Sequence, residues 1–195
     1  LHDNAGLYYA LKAGLPVQCI FIFDTEILNK LEDKHDARVV FIHDQLTKLN
    51  SELKKYGSSL ITTYDTPFNS WKKWISEYNI KEVYTNNDYE PYSRKRDDAV
   101  SSLLEKHKIA WHVFKDHVIF EKDEVMKDDR SPYTVYTPYK NRYLKALEPK
   151  DYKSFPVEKY FSEFHKSKNE KIHTLEEMGF ESFNKTSKGK NEFFN

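Results

Sequence analysis

The stretch that decides the fold is VQCIFIF, residues 17–23, an uninterrupted apolar run with the length of a buried strand. After an acidic loop, apolar residues recur every three or four positions, which predicts one face of a long helix ending at Gly57. These apolar positions are 39, 42, 46, 49, 53 and 56. A second apolar run, LITT at residues 60–63, reads as another strand. A strand, a crossover helix and a strand in this order predict a parallel α/β sheet.

The same alternation extends on both sides of this stretch, up to about residue 115. Asn4 can cap the first helix, and Gly14 stops it. Pro138 suits the first turn of a later helix, predicted over 137–147. The other predicted elements are helices over 4–13, 66–78 and 90–106 and strands over 82–85 and 109–114. Up to residue 115 the pattern thus predicts four strands and four helices.

The composition changes beyond residue 149, where Lys, Glu, Ser and Asn dominate and apolar residues are isolated. We therefore predict an α/β domain over 1–149 and a mostly irregular arm over 150–195. Thr174 and Glu177 have the spacing of a capping box, which predicts one helical turn there. Regularly placed phenylalanines predict that the arm packs against a neighbour. They are Phe155, Phe161, Phe164, Phe180 and Phe183.

Composition excludes several classes of protein. The 31 basic residues are balanced by 31 acidic ones, so no basic surplus indicates nucleic-acid binding. The five glycines have no phosphate-loop spacing. Cys19, the single cysteine, lies in an apolar run and predicts a reducing compartment. No apolar stretch approaches the length of a membrane span, so we expect a soluble, cytoplasmic chain without a membrane partner.

Two loops that follow predicted strands are candidate ligand sites, because ligands of open parallel sheets bind at the carboxyl ends of strands. The first loop begins at Asp24 and the second covers 86–92. Acidic and amide side chains there can bind a planar heterocycle or a ribityl chain between apolar walls. The walls would be Phe23, Leu28 and Tyr89. The alternative interpretation is that Asp88 or Glu90 only caps the helix that follows.

Other constellations favour structural roles. His112 and His117 would face opposite sides of a strand, and no further His or Cys joins them, so we expect no metal site. No nucleophile elbow is present, which leaves hydrolase chemistry without support. Tyrosines and basic residues over 133–143 could stack on bases, but their helical spacing favours packing.

Three motifs, in order and at matching spacing, carry a family resemblance. They are LHDN at residues 1–4, NDYEPY at 87–92 followed by Arg94, Arg96 and Asp97, and SPYTVYTPYKN at 131–141. Over residues 1 to about 185 the chain resembles the amino-terminal domain of the DNA photolyase and cryptochrome family. The resemblance implies a Rossmann-like, doubly wound parallel sheet. The family's first, central strand would immediately precede Leu1, so we expect a sheet that lacks it and is marginally stable or filled by another segment.

The same resemblance implies a light-harvesting role. The domain would hold an antenna chromophore that passes excitation energy to FAD in a helical domain, which repairs cyclobutane pyrimidine dimers in UV-damaged DNA. We expect the parent protein to be a deoxyribodipyrimidine photo-lyase. The present residues would supply no catalytic group and no FAD pocket, and would be inactive alone. Alternatives are a cryptochrome photoreceptor and a generic α/β nucleotide-binding module.

The resemblance also indicates which chemical class of antenna chromophore the domain would bind. Family members that use a folate have an Asn-Glu pair where this chain has Tyr92 and Ser93, so a deazaflavin or flavin is favoured over folate. In deazaflavin members the Asp and Glu of the second motif bind the chromophore. The implied cofactor-binding residues are Phe23, Asp24, Ile27, Leu28, Arg38, Asp88 and Glu90.

Overall fold

The computed structural model describes residues 1–167 and 170–182. The chain divides into two compact units. The first contains Leu1–Val17 and Trp74–Glu163, and the second contains Gln18–Lys73 and the described residues from Phe164 onward. Phe183, one of the phenylalanines expected to pack, lies outside the described residues.

The elements alternate as the apolar pattern predicts. In chain order they are α1 (Ala5–Lys12), β1 (Ile20–Asp24), α2 (Thr25–Leu28), α3 (Ala37–Lys55), β2 (Ile61–Asp65), α4 (Pro67–Glu77), β3 (Glu82–Asn86), α5 (Pro91–Lys106), β4 (Ala110–Phe114) and α6 (Tyr136–Ala146). Three short 3-10 helices follow at Pro149–Tyr152, Val157–Glu163 and Glu176–Met178. The order confirms the predicted α/β class.

Parallel strand pairing is confirmed in both units. In the second unit β1 pairs with β2, in a register that runs from Ile20 opposite Ile61 to Asp24 opposite Asp65. In the first unit β3 pairs with β4, from Glu82 opposite Ala110 to Asn86 opposite Phe114. Among the described residues these pairs form two separate two-stranded sheets. The expectation of a truncated central strand stays a prediction.

The core of the second unit lies along α3. Leu53 and Leu60 are almost fully buried, and Val39 is 3% exposed. The buried Asn50 amide oxygen accepts a hydrogen bond from the Leu60 backbone N–H at 2.8 Å, so the turn after the helix is tied back to it. An unsatisfied buried N–H would cost about 1–3 kcal/mol, which explains a polar residue inside this core.

Residues 170–182 complete the core of the second unit. Leu175, Met178 and Phe180 are each at most 5% exposed. The predicted capping box is confirmed, because Thr174 N–H donates to Glu177 and Glu177 N–H donates to the Thr174 hydroxyl. The segment is therefore packed, although much of it is irregular.

In the first unit α1 packs against the β3–β4 pair. Gly6 permits this close approach, because a Cβ at that position would lie 2.8 Å from the Asn86 Oδ1. On α5, Val100 and Leu104 are at most 2% exposed. On α6 no residue is buried and Leu144 is 57% exposed, but the ring of Tyr143 packs edge-on against Phe120 at 4.9 Å, as the helical spacing of the tyrosines predicts.

Two features of the chain around the first strand differ from the sequence prediction. The first strand begins at Ile20 rather than at Val17, because the Val17 N–H donates to the carbonyl of Glu163 at 2.9 Å. The acidic loop after that strand contains a helix, α2, whose first turn is capped by Asp24. Apolar content alone does not show where a strand ladder ends.

Candidate functional site

The carboxyl end of β1 holds two of the implied site residues, both buried. Phe23 is 3% exposed, and its ring packs edge-on against Phe21 at 5.0 Å and lies 6.4 Å from the ring of His173. Asp24 is 7% exposed, and its Oδ1 accepts a hydrogen bond from the Glu26 N–H at 2.9 Å. The structure therefore gives Asp24 a capping role, and Phe23 is covered by the chain's own side chains.

The next two implied residues lie on α2. Ile27 is 46% exposed, whereas Leu28 is half-buried. Because Asp24 caps this single turn, it fixes the helix that carries both side chains. Ile27 is thus the apolar side chain of this loop that is open to contact.

Arg38 lies at the start of α3 and pairs with the residue that caps this helix. Its Nη2 is 2.6 Å from Asp36 Oδ2 and its Nε is 3.0 Å from Oδ1. This fork geometry is that of a bidentate arginine–carboxylate pair. The hydrogen bond from the Arg38 side chain lowers the pKa of Asp36 to about 2. The Arg38 side chain is 74% exposed, so the ion pair lies at the surface.

The loop after β3 is organised by Asp88. Its Oδ1 accepts a hydrogen bond from the Glu90 N–H at 3.2 Å, and its Oδ2 accepts one from the Ser93 hydroxyl at 2.8 Å. The Ser93 hydrogen bond, followed by that from Glu90, lowers the pKa of Asp88. Glu90 stands at the N-cap position of α5 but makes no side-chain capping bond. Asp88 therefore orders the loop before α5 without accepting from a backbone N–H of the helix itself, and Glu90 is an exposed carboxylate.

Two acidic residues join this loop that the sequence did not single out as ligand candidates. The Asn86 amide donates to Asp116 Oδ2 at 2.9 Å, while its Oδ1 accepts the Gly6 N–H. Burial and the neighbouring Glu121 carboxylate raise the pKa of Tyr89 to about 12. Asp116 and Glu121 both follow β4, whose carboxyl end lies beside that of β3 because the strands are parallel. The adjacency of these two strand ends is the signal in the sequence that could have identified Asp116 and Glu121 as candidates.

The implied residues fall into two groups, one in each unit. Asp88 and Glu90 belong to the first unit, and the remaining five belong to the second. The first group offers the exposed carboxylate of Glu90, and the second offers the guanidinium of Arg38 and the exposed side chain of Ile27. Such groups can hold a polar heterocycle by hydrogen bonds and apolar contact.

A metal-binding cluster and a membrane-spanning helix are both absent from the described part of the chain. It contains no group of three or more His, Cys, Asp or Glu side chains arranged for a metal ion. His112 instead stacks on Tyr84, and its Nε2 lies 3.2 Å from Glu82 Oε2. No helix in that part is both long and apolar enough to cross a membrane.

Comparison with known proteins identifies the family. The sequence model described as DNA photolyase matches residues 1–159. This chain belongs to the DNA photolyase family. Deoxyribodipyrimidine photo-lyase of Synechococcus sp. is 29% identical over 139 residues, which cover 71% of this chain and 28% of that protein. Cryptochrome-1 of Spalax judaei is 24% identical over 193 residues, which cover 93% of this chain and 32% of that protein.

Solved photolyase structures share the fold. One is an archaeal photolyase from Sulfolobus tokodaii, described with two FAD molecules and an implied novel light-harvesting cofactor; its TM-score is 0.60 at 28% identity, covering 65% of this chain and 29% of that chain. A class III photolyase from Agrobacterium tumefaciens gives 0.64 at 26% identity, covering 76% and 30%. This photolyase-family chain corresponds to the amino-terminal domain of these proteins and spans about a third or less of their length.

Proposed function

We propose that this chain is the amino-terminal light-harvesting domain of a deoxyribodipyrimidine photo-lyase. It holds an antenna chromophore, and the excitation energy passes to FAD in a helical domain of the parent protein. That domain binds UV-damaged DNA and repairs cyclobutane pyrimidine dimers. Family membership over residues 1–159 and the enzymatic names of the relatives support this role.

The observation that carries the proposal is the exposed carboxylate of Glu90 at the carboxyl end of β3. Glu90 occupies the N-cap position of α5 without a side-chain capping bond, although capping residues usually supply one. Its oxygens are therefore available to accept hydrogen bonds from an N–H-bearing heterocycle. Ligands of open parallel sheets bind at this edge.

A flavin or deazaflavin is the chromophore class that these residues favour. Ser93, which stands where folate-binding members have Glu, is 6% exposed and donates its hydroxyl to Asp88. A buried hydroxyl already bonded within the loop cannot make the contact that a glutamate makes to a pterin. The Sulfolobus tokodaii photolyase described with two FAD molecules also favours a flavin.

The implied residues of the second unit stay a separate proposal, in which Ile27 and Leu28 are apolar contacts and Arg38 is a donor. Asp24 caps α2, and Phe23 is the buried residue that precedes this cap. We propose that the parent protein is cytoplasmic and that these residues alone are inactive in repair. A cryptochrome role is the second candidate, because Cryptochrome-1 relatives match over 93% of the chain.

An equilibrium titration tests the proposal. The 195-residue chain is mixed separately with FMN, FAD, a deazaflavin and a reduced folate, and absorption and fluorescence are followed. We expect a red shift or quenching with a flavin or the deazaflavin, unaffected by excess AMP. Glu90→Gln should weaken binding about tenfold or more, because a hydrogen bond to a charged group contributes about 1.5–3 kcal/mol. If the chain binds AMP but none of the four chromophores, it is a generic nucleotide-binding module instead.

A further inference from the structure

Two carboxylates in the loop after β3 have different surroundings. Both oxygens of Asp88 accept hydrogen bonds from this same loop and helix, one from the Glu90 N–H and one from the Ser93 hydroxyl. Glu90, two residues later, is exposed and makes no capping bond. The family resemblance alone would give both residues the same role.

The contact with Ser93 has the features of a fixed structural bond. Ser93 lies in the first turn of α5, the residue is 6% exposed, and its Oγ is 2.8 Å from Asp88 Oδ2. An ionised carboxylate only accepts hydrogen bonds, so the hydroxyl must be the donor. Its proton is thereby directed at Asp88. The pair joins the loop to the helix that begins at Pro91.

We infer that Asp88 and Ser93 form a positioning pair, which sets the orientation of the loop over 88–90, and that Glu90 makes the contact with the chromophore. This inference rests on the proposed antenna function. Asp88 acts through the Glu90 backbone: its Oδ1 holds the Glu90 N–H and so fixes where the Glu90 side chain leaves the main chain. Ser93 holds the other carboxylate oxygen and prevents Asp88 from rotating away.

The amide of asparagine separates positioning from direct contact. In Asp88→Asn the side-chain oxygen can still accept from the Glu90 N–H, and the side-chain nitrogen can donate to Ser93 Oγ, whose hydroxyl can then turn. Both bonds of the pair survive, but the charge does not. A direct charge-assisted hydrogen bond from a chromophore N–H to Asp88 would be weakened by this substitution, because the charge is removed.

The test measures dissociation constants for FMN, FAD and a deazaflavin with the 195-residue chain and its variants. We expect Asp88→Asn to bind within about threefold of the unsubstituted chain. Asp88→Ala and Ser93→Ala should each weaken binding about tenfold, and the double variant should be no weaker than either single one, because the two residues act as a unit. Ser102→Ala is the matched control: its exposed hydroxyl, also on α5, donates to the Asp98 carbonyl at 2.8 Å, and its loss should not change binding.

A second readout does not depend on the chromophore. Carbon-13 NMR titration of the Asp88 carboxyl should show that Ser93→Ala raises its pKa toward the ordinary value, and the Glu90 amide should exchange faster with solvent. If no chromophore binds the unsubstituted chain, the proposed function fails, while this readout still tests the pair. An unchanged Asp88 pKa in Ser93→Ala would overturn the positioning pair. Binding that is lost in Asp88→Asn but retained in Ser93→Ala would overturn it too, and would make Asp88 a direct contact.

Discussion

Replacing Gly6 by alanine should lower the free energy of unfolding by about 2 kcal/mol. The added Cβ would lie 2.8 Å from Asn86 Oδ1 and 3.4 Å from the Thr85 carbonyl carbon. The Asn86 side chain cannot easily yield, because its Oδ1 accepts the Gly6 N–H at 2.9 Å and its Nδ2 donates to Asp116 at 2.9 Å. Relief therefore requires moving either the amide or the whole of α1 by a few tenths of an ångström.

The magnitude follows from three contributions. Overpacking a fitted contact costs about 1–3 kcal/mol. Weakening the hydrogen bond from the Gly6 N–H to Asn86 costs about another 1 kcal/mol. The better helix propensity of alanine returns up to about 1 kcal/mol, because glycine is a poor helix former. The overpacking and the weakened hydrogen bond outweigh this gain.

Urea unfolding of four proteins, followed by circular dichroism, isolates the contact: the unsubstituted chain, Gly6→Ala, Asn86→Ala and the double variant. If the slope of the unfolding free energy against urea concentration is the same in all four proteins, a shift in the urea midpoint reports a change in stability. In the Asn86→Ala background the Gly6→Ala change should be neutral or stabilising by up to about 1 kcal/mol, because the blocking oxygen is gone. Equal destabilisation in both backgrounds, or none in either, would refute the close approach as the reason for glycine.

Three further predictions concern other contacts. Arg38→Ala should raise the pKa of Asp36 from about 2 toward its ordinary value of 3.8, as measured by carboxyl NMR. Because this pKa is lowered in the folded state, the stabilising contribution of Asp36 is present above pH about 4 and is lost as the pH falls through about 2. Thr174→Ala should cost about 1 kcal/mol in urea unfolding by removing the capping box with Glu177, and no change would contradict a capping role. Leu104→Ala, at a fully buried position, should cost about 2–5 kcal/mol, whereas a cost below about 1 kcal/mol would place Leu104 outside the core.

Apolar periodicity predicted the elements that lie over a core. The helix expected over 39–56 is α3, and Val39, Leu46 and Leu53 are buried as its spacing predicts. The same pattern placed Ile42 on the inner face, where it was wrong, because Ile42 is 42% exposed. The buried stripe continues through the polar Asn50, one turn beyond Leu46. A count of apolar residues alone passes over such a position.

The strand-end loops were predictable in place but not in detail. The carboxyl ends of the strands indicated where Asp24 and Asp88 would lie, because the strands of each pair are parallel. Their hydrogen bonds to nearby backbone N–H groups depend on loop dihedral angles, which no periodic pattern encodes. Asp116 and Glu121 were not predicted as part of the loop after β3 because apolar periodicity does not say which strands are neighbours, and these residues lie there through the pairing of β3 with β4. Whether these side chains bind a chromophore stays a prediction.

The titration of the 195-residue chain with FMN, FAD, a deazaflavin and a reduced folate tests the central claim most directly. We predict a red shift or quenching that saturates with a flavin or the deazaflavin, persists in excess AMP and is weakened about tenfold or more by Glu90→Gln. Failure of all four chromophores to respond would contradict the antenna role. Saturable binding that Glu90→Gln leaves unchanged would contradict the site.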